Sequence, residues 1–269
     1  MADDRYSRQS FLGKHSQTII ESSVVGVIGL GGGGTHIIQQ LAHIGFQNYV
    51  IIDPQAIDDS NLNRMVCAKL IDIEEKKTKV EIAERTIREL QPEAGIKAFV
   101  SRWQDNADAL KKCDILFGCV DSFKERNELE IFSRRFLTPY IDIGMDVFKV
   151  GNEPFRMVGQ VILSMPGEPC MHCFGFLNKE KLTREASTYG KAGHRPQVVW
   201  SNGILASSAV GIAVNLLTGW SKFEKIPIYL SYDGNSLKLE YHVRLEHPNY
   251  NICPHFTEKH LGDPIFKSI

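Results

Sequence analysis

The stretch from residue 24 to residue 53 restricts the fold more than any other part of this sequence. It begins with a nearly continuous apolar run over 24–29, which is typical of a parallel strand buried on both faces. A glycine-rich turn follows, then apolar residues at helical spacing over Thr35–Ile44, and then a second apolar run that ends in an acid, Asp53. The stretch predicts a strand–turn–helix–strand unit, which belongs to an α/β fold with a parallel sheet.

The turn itself has the spacing G-x-G-x-x-G at Gly29, Gly31 and Gly34. One glycine makes the tight turn, one lets a phosphate approach the backbone, and one permits close packing of helix on strand. Asp53 is then placed to accept hydrogen bonds from ribose hydroxyls. These residues predict a nucleotide-binding site, but they do not indicate which nucleotide binds.

Alternating strands and helices continue beyond this unit. The predicted elements are a helical lead-in over 5–22, a helix over 74–90, a strand over 96–100, a short helix over 105–112, an apolar run over 114–120, a helix over 123–136 and a strand over 140–143. After these come a half-exposed strand over 156–165, a polar stretch over 174–196, a buried helix over 204–218, and an antiparallel hairpin over 226–245 with an Asp-Gly turn. We therefore predict a Rossmann-like, mostly parallel sheet flanked by helices, with antiparallel C-terminal strands.

Composition excludes several classes of protein. A formal net charge of -1 argues against a nucleic-acid partner. The only run of near-membrane length, 204–220, contains Ser207, Ser208 and Asn215, so we expect a core helix and no membrane partner. The first ten residues are polar, and six cysteines in 269 residues do not form a secreted disulfide framework. We expect a cytoplasmic protein.

A second motif changes the expected chemistry. Asn61 and Arg64 lie within Asn-Leu-Asn-Arg, a few residues beyond Asp53. A nicotinamide dehydrogenase normally needs neither an amide nor a guanidinium there, whereas an arginine fork suits the phosphates of a nucleotide under attack. The motif favours adenylyl transfer over hydride transfer, although the glycine loop alone also permits a nicotinamide- or flavin-dependent oxidoreductase.

Taken together, the motifs resemble those of the ThiF/MoeB adenylyltransferases, which are related to the ubiquitin-activating enzymes. The resemblance rests on the glycine loop with Asp53 and on the segments 5–9, 61–64, 78–81, 119–122 and 167–173. It implies one domain over 1–269, with a nucleotide-binding half at 5–150 and a carrier-binding half at 151–269. Here a carrier is a small ubiquitin-like or sulfur-carrier protein with a free C-terminus.

The resemblance also implies roles for individual residues. Asp53 would hold the ribose of ATP, while Asn61, Arg64 and Lys79 would contact its phosphates. Asp121 would bind Mg²⁺, and Arg8 would reach across a homodimer interface into the partner's site. The implied reaction is attack of a C-terminal carboxylate on the α-phosphate, which gives an acyl adenylate and pyrophosphate. Adenylation of a short peptide is an alternative, as is a non-catalytic scaffold.

Two of these side chains also have ordinary explanations when they are considered singly. Lys79 follows Lys76 and Lys77, so it could belong to a solvated charged face. Asp121 could simply cap the helix that starts near Phe123.

The cysteines suggest a metal site. Cys170-Met-His-Cys173 is a tight knuckle suited to one edge of a tetrahedral zinc site. Relatives complete such a site with a second Cys-x-x-Cys, but here Cys253 is followed by Phe256 where the last cysteine would stand. We therefore predict zinc bound by Cys170, Cys173, Cys253 and His255, with His247 and His260 as alternative fourth ligands. The other alternative is that the site is lost and that Cys170 and Cys173 serve only as small hydrophobic residues.

Some members of the family carry a further cysteine that receives the carrier as a thioester. No cysteine lies between Cys173 and Cys253, and Cys67, Cys113 and Cys119 fall on elements that look buried. The sequence therefore predicts an enzyme that stops at the acyl adenylate.

Overall fold

The computed structural model describes residues 4–187, 196–226, 228–246, 253–257 and 262. Eight strands form one sheet in the order β3-β2-β1-β4-β5-β6-β7-β8. The strands are β1 (Val24–Ile28), β2 (Asn48–Ile52), β3 (Gly95–Phe99), β4 (Ile115–Gly118), β5 (Tyr140–Phe148), β6 (Arg156–Ser164), β7 (Ile228–Asp233) and β8 (Lys238–Tyr241).

The sheet changes character half-way across. The pairs from β3 through β2, β1 and β4 to β5 are all parallel. The pairs from β5 through β6 and β7 to β8 are antiparallel. This confirms the predicted mostly parallel sheet with antiparallel C-terminal strands. Because β1 lies between β2 and β4, the chain reverses its direction across the sheet at β1, where α/β folds bind ligands.

Helices cover both faces of the sheet. The α-helices are α1 (Ser16–Ser22), α2 (Gly32–Ile44), α3 (Leu70–Glu74), α4 (Lys79–Leu90), α5 (Ala107–Leu110), α6 (Phe123–Phe136), α7 (Lys179–Ser187) and α8 (Val199–Thr218). Short 3-10 helices span Asp4–Leu12, Asp59–Asn61, Trp103–Asn106 and Val243–Leu245. Along β1, Val25 and Val27 face the core under α2, α4 and α8, whereas Ile28 faces the core under α6. This alternation follows from the period of two along a strand.

One described helix, α8, is long and apolar enough to cross a membrane, with 20 residues and a hydropathy of 1.3. It extends the helix predicted over 204–218 by one turn toward its N-terminus. Leu205, Ala209 and Ala213 are fully buried and join the core cluster under α2 and α4. Burial of this face is what the sequence predicted for a core helix.

Several predicted elements are wrong in their bounds. The lead-in over 5–22 is two helices, because Gly13 adopts a φ of +114° between them. The predicted helix over 74–90 is broken after α3, because Thr78 starts a new helix with its own N-cap. The predicted short helix over 105–112 is a 3-10 turn followed by α5.

The C-terminal hairpin also differs from the prediction. Asp233 pairs with Lys238, so four residues form the connection rather than an Asp-Gly pair alone. Asp233 accepts hydrogen bonds from the backbone of Asn235 and Ser236, which stabilises this longer turn. The polar stretch predicted over 174–196 contains α7, and its residues 188–195 lie outside the described part of the chain.

Candidate functional site

The glycine loop connects β1 to α2, and sterics explain its glycines. Gly29 has a φ of +86°, and a Cβ there would lie 2.6 Å from the Cys119 carbonyl oxygen. A Cβ on Gly34 would collide with the carbonyl oxygen of Gly29. A Cβ on Gly31, in contrast, would have no atom of the described residues within 4 Å apart from its own chain neighbours. Two glycines therefore permit close packing, and the third faces open space where a ligand can approach.

The first turn of α2 supplies the electrostatics of this loop. Gly31 is the N-cap residue, and no side chain caps the helix there. The first N–H groups of a helix have no partners within the helix, and its dipole places partial positive charge at this end. The α2 N-terminus therefore favours an anion.

Asp53 follows β2 and is 5% exposed. Its Oδ2 accepts a hydrogen bond of 2.7 Å from the Leu30 backbone N–H, and its Oδ1 accepts one of 2.8 Å from Gln55 N–H. The carboxylate thus holds the glycine turn in place. Each oxygen retains a second lone pair, so the predicted contact with a ribose stays a prediction.

Asn61 and Arg64 lie on the turn after Asp53; Asn61 is buried, whereas Arg64 is partly exposed. Asn61 is 4% exposed, and its Oδ1 accepts a hydrogen bond of 3.3 Å from Asp58 N–H. Arg64 donates from Nη1 to the Ser60 carbonyl at 2.5 Å. The Arg64 Cγ lies 3.3 Å from the position that a Cβ on Gly32 would occupy, so its side chain runs beside the loop.

Lys79 is the first residue of α4 and is 7% exposed. Thr78 caps the helix and forms a capping box with Glu81, which fixes the helix start. The Lys79 Nζ donates to Gln55 Oε1 at 2.6 Å, so the ammonium lies beside the residue that is bonded to Asp53. Lys79 is therefore not part of a solvated charged face.

A nearby carboxylate shows that the two cations lie in one region. The pKa of Asp58 is lowered, chiefly by a hydrogen bond from the Ser60 hydroxyl, and the charges of Lys79 and Arg64 lower it further. The structure thus brings these two side chains together around the turn that follows β2.

Asp121 lies just after β4 and is exposed. Its Oδ1 accepts a hydrogen bond of 3.2 Å from Gln197 Nε2. The N-cap of α6 is Ser122, whose hydroxyl accepts from Glu125 N–H, so Asp121 does not cap the helix. Since β2, β1 and β4 are parallel neighbours, their carboxyl ends bring Asp53, the glycine loop and Asp121 to one edge of the sheet.

A buried ion pair supports this edge, and the sequence did not predict it. The Arg126 Nη1 lies 2.5 Å from Asp142 Oδ2, and Arg126 Nη2 donates to the Val120 carbonyl at 2.7 Å. The Tyr140 hydroxyl donates to Asp142 Oδ1 at 2.9 Å. Arg126 therefore fixes the backbone next to Asp121. The available signal was an acid, Asp142, inside an apolar strand.

Arg8 lies far from the glycine loop of its own chain. Its neighbour Gln9 donates to the Ile44 carbonyl at the C-terminal end of α2, and Arg5 donates to Leu90 at the end of α4. The loop is at the other end of α2, which has 13 residues and therefore spans about 20 Å. The structure does not bring the exposed Arg8 together with the other predicted catalytic residues of the same chain.

The predicted metal ligands do come together. The ligand atoms of Cys170, Cys173, Cys253 and His255 all lie within 4.8 Å of one another. The Cys170–Cys173 and Cys173–Cys253 sulfur pairs are 3.7 and 3.6 Å apart, and His255 Nδ1 is 3.4 Å from Cys173 Sγ. Tetrahedral zinc with ordinary bond lengths requires sulfur–sulfur separations of about 3.8 Å and sulfur–nitrogen separations of about 3.6 Å. The alternatives His247 and His260 lie outside the described residues.

Comparison with known proteins assigns the family. The profile of the ThiF family matches residues 5–255. The chain belongs to the ThiF family.

Individual ThiF-family relatives cover most of the chain. The sulfur carrier protein ThiS adenylyltransferase of Escherichia coli K12 is 29% identical over 223 residues, which are 80% of this chain and 81% of that protein. The molybdopterin-synthase adenylyltransferase of the same strain is 26% identical over 257 residues, or 93% and 95% of the two chains. Both names describe adenylyl transfer. The chain is accordingly an ATP-using adenylyltransferase, as the sequence predicted.

Solved structures show the same fold. The complex of E. coli MccB with AMPCPP and MccA has a TM-score of 0.72 and 21% identity, covering 90% of this chain and 71% of that one. PaaA has a TM-score of 0.69 and 19% identity, covering 89% and 82%. At these identities the likeness concerns the fold alone.

A second buried ion pair in this ThiF-family chain supports the cysteine knuckle, and the sequence did not predict this pair either. Arg134 donates to the Glu168 carbonyl at 2.5 Å and to the Pro169 carbonyl at 3.3 Å, directly before the knuckle. It also pairs with Glu130, which accepts from the Met171 N–H inside the knuckle at 3.4 Å. Desolvation raises the pKa of Glu130. Two charged residues on α6 therefore position the knuckle backbone.

The other cysteines of this family member are poor nucleophiles. Desolvation raises the pKa of Cys67, raises that of Cys113 to about 12, and raises that of Cys119. Because the thiolate is the reactive form, these thiols have little nucleophilic character near neutral pH. The absence of a thioester step stays a prediction.

Proposed function

We propose that this enzyme activates the C-terminal carboxylate of a carrier, a small ubiquitin-like or sulfur-carrier protein, as an acyl adenylate. One set of contacts supports the proposal: Asp53 is bonded to a glycine loop that is open at Gly31, the Arg64 side chain runs beside that loop, and Lys79 is bonded to Gln55 next to Asp53. Asp121 follows the neighbouring strand β4, and the chain belongs to the ThiF family. A carboxylate is ionised at neutral pH and needs no base, so the site must only position it and stabilise charge.

The chemistry follows from the charges. A carboxylate oxygen attacks the α-phosphorus and forms a new P–O bond, while the bond to the β-phosphate breaks and pyrophosphate leaves. Arg64 and Lys79 would stabilise the negative charge of the phosphates from the side of β2. Asp53 would hold the ribose, and Asn61 would contact the phosphates or orient Arg64.

Asp121 would hold Mg²⁺. Its exposed position after β4 and its carboxylate oxygens fit a cation that prefers oxygen ligands. Mg²⁺ would neutralise part of the phosphate charge. Gln197 occupies one oxygen of Asp121 in this structure, so metal binding has to share or replace that hydrogen bond.

Cys170, Cys173, Cys253 and His255 would bind zinc in a structural role. Four protein ligands leave no open position for substrate, which distinguishes a structural zinc site from a catalytic one. The site would connect the segment around residue 253 to the knuckle after β6, within a carrier-binding half at 151–269.

The six described cysteines are free thiols, which fits the reducing cytoplasm.

A homodimer would complete the site. Arg8 is exposed at the far end of α2, so it can serve a second copy of the chain but not its own loop. We propose that Arg8 contacts the phosphates bound by the partner subunit.

The function is tested by ATP–pyrophosphate exchange with purified carriers that end in Gly-Gly and with short peptides. Exchange that requires a carrier supports the proposal. Exchange that requires only a peptide would move the assignment to peptide adenylation. ATP binding without exchange alongside any carrier or peptide would indicate a non-catalytic scaffold, and reduction of NAD would revive the oxidoreductase alternative.

The dimer is tested by mixing Arg8→Ala protein with Arg64→Ala protein. In a mixed dimer, the Arg8→Ala chain keeps its own Arg64 and receives Arg8 from its partner. Random mixing of equal amounts should therefore restore about a quarter of the wild-type activity. No recovery from two folded but inactive variants would argue that Arg8 acts elsewhere.

A further inference from the structure

Asn202, in the first turn of α8, has a polar group without a partner. The residue is 5% exposed, and its buried Nδ2 has no hydrogen-bond partner among the described residues. Leaving an amide donor buried and unpaired is costly, and most native structures avoid it. An unpaired donor beside a binding site is therefore a candidate for ligand contact.

The amide lies against the first turn of α2. A Cβ on Gly32 would collide with Asn202 Nδ2, and one on Gly33 would lie 3.9 Å from Asn202 Oδ1. The Arg64 Cγ lies 3.3 Å from the same Cβ position of Gly32. Asn202 and Arg64 thus flank the residue that begins the helix.

The groups around Gly32 are hydrogen-bond donors. They comprise the N–H groups of the α2 N-terminus, where the N-cap Gly31 makes no side-chain cap, and the amide of Asn202. The aliphatic part of the Arg64 side chain runs past the same position, and its guanidinium is a further donor on this side of the loop. A helix N-terminus with convergent donors fits the oxygens of a phosphate.

We propose that Asn202 donates a hydrogen bond from Nδ2 to a non-bridging phosphate oxygen of bound ATP. This inference rests on the proposed function and adds a binding residue from the second half of the chain to the nucleotide site. Arg64 is bonded to Ser60 and Asn63 in this structure, so it must adopt another rotamer to reach a phosphate.

Calorimetric titration with a non-hydrolysable ATP analogue and Mg²⁺ tests the proposal without a carrier. Asn202→Ala should bind about tenfold more weakly, which corresponds to about 1.4 kcal/mol. Asn202→Asp should bind more weakly still, because a carboxylate repels the phosphates. Adenosine, which has no phosphate, should bind wild type and both variants equally.

Asn215→Ala is the matched control. Asn215 is a buried asparagine on the same helix, but its Oδ1 accepts from Ser221 N–H at the other end. This variant should keep wild-type affinity for the ATP analogue.

Thermal unfolding without nucleotide separates binding from structure. Asn202→Ala should have a Tm no lower than wild type, because it removes an unpaired donor, whereas Asn215→Ala should have a lower Tm. A lowered Tm for Asn202→Ala combined with unchanged affinity would assign Asn202 a structural role and overturn the inference.

Other outcomes are equally clear. The inference alone would be overturned if Asn202→Ala bound the ATP analogue with an affinity within twofold of wild type. The same holds if that affinity is unchanged and only the KM for the carrier rises, since the amide would then contact the carrier's carboxylate. An equal loss for adenosine would also overturn it. Wild-type protein that binds no ATP would overturn the proposed function as well.

Discussion

The regions at the two ends of α6 differ in how their hydrogen-bond donors are paired. At its N-terminal end is the nucleotide loop, where α2 has no side-chain cap, Gly31 faces open space and Asn202 Nδ2 is unpaired among the described residues. At its C-terminal end, Arg134 alone bonds to Glu130, to Ser164 and to two backbone carbonyls beside the knuckle. Unpaired hydrogen-bond donors indicate a region built to bind a ligand reversibly. Paired donors, such as those of Arg134, indicate a region built to keep its shape; the unpaired group there is an acceptor, Glu130 Oε2, among the described residues.

The largest expected effect tests the nucleotide region. Arg64→Ala should reduce ATP–pyrophosphate exchange on the order of a thousandfold, because the guanidinium that we propose to contact the phosphates is lost. Its circular dichroism should match wild type, since the side chain is partly exposed.

Arg88→Ala is the control for Arg64→Ala. Among the described residues, Arg88 pairs with Glu84 and with carbonyls around the end of α4. Wild-type exchange in Arg64→Ala, or a similar loss in Arg88→Ala, would remove Arg64 from the phosphate site.

The next effect tests the knuckle region. Cys170→Ser should lose bound zinc, as measured by elemental analysis, and its Tm should fall by about 10 °C. Loss of a cross-link that closes a long loop costs about 3–4 kcal/mol, and each kcal/mol shifts Tm by about 2–4 °C in a protein of this size. Cys113→Ser alters a buried thiol outside the cluster and should keep its zinc. Zinc-free wild-type protein would contradict the site.

A smaller effect is expected on stability and concerns α3, the helix that follows the turn carrying Arg64. Asp72 accepts from Arg85 at 2.9 Å, and Arg85 also donates to the Cys67 carbonyl. The hydrogen bond from Arg85 is the main reason that the pKa of Asp72 is lowered. A lowered folded-state pKa gives stability that is present above the unfolded pKa and is lost as the pH falls through the folded one.

Asp72→Asn should therefore lower the free energy of unfolding by about 2 kcal/mol at pH 7. The difference from wild type should shrink below about pH 4, where the carboxyl of the unfolded chain is protonated. Urea unfolding at several pH values measures this. Asp108→Asn removes a largely exposed partner of Lys111, whose hydrogen bond and charge lower the pKa of Asp108 in the same direction. Because solvent screens that pair, the pH dependence for Asp108→Asn should be much smaller than that for Asp72→Asn; a constant difference for Asp72→Asn would contradict the linkage.

The last prediction is that no thioester adduct forms. Incubation with ATP and carrier should give no adduct that is sensitive to reducing agents, because the pKa values of Cys67, Cys113 and Cys119 are raised. Mass spectrometry with and without dithiothreitol checks this. A thioester on any cysteine would show that the reaction continues beyond the adenylate.

Sequence periodicity and motif spacing predicted most of the fold and the neighbourhood of the glycine loop. Apolar runs of strand length identified β1, β2 and β4, and the carboxyl ends of parallel strands necessarily meet at one edge. The capping box at Thr78 and Glu81 was visible in the sequence and could have placed the break before α4.

The residues that were missed depend on packing between distant segments. Asn202 lies 170 positions from Gly32 in sequence, and only the tertiary structure shows that its amide has no partner. Arg126 and Arg134 look like ordinary charges of an amphipathic helix until their burial against Asp142 and Glu130 is known. Spacing along the chain carries no information about such pairs.

The separation of Cys173 and Cys253 by 80 positions also has a kinetic consequence. During synthesis the unit from β1 to β2 can form from local contacts, whereas a metal site that includes Cys253 has to wait until residue 253 has left the ribosome. We expect the knuckle to become ordered last, and its thiols to be the last to gain protection in pulsed alkylation during refolding. Zinc would then mark molecules that extend at least as far as residue 255, since a chain truncated before Cys253 could assemble the nucleotide loop but not the full set of ligands.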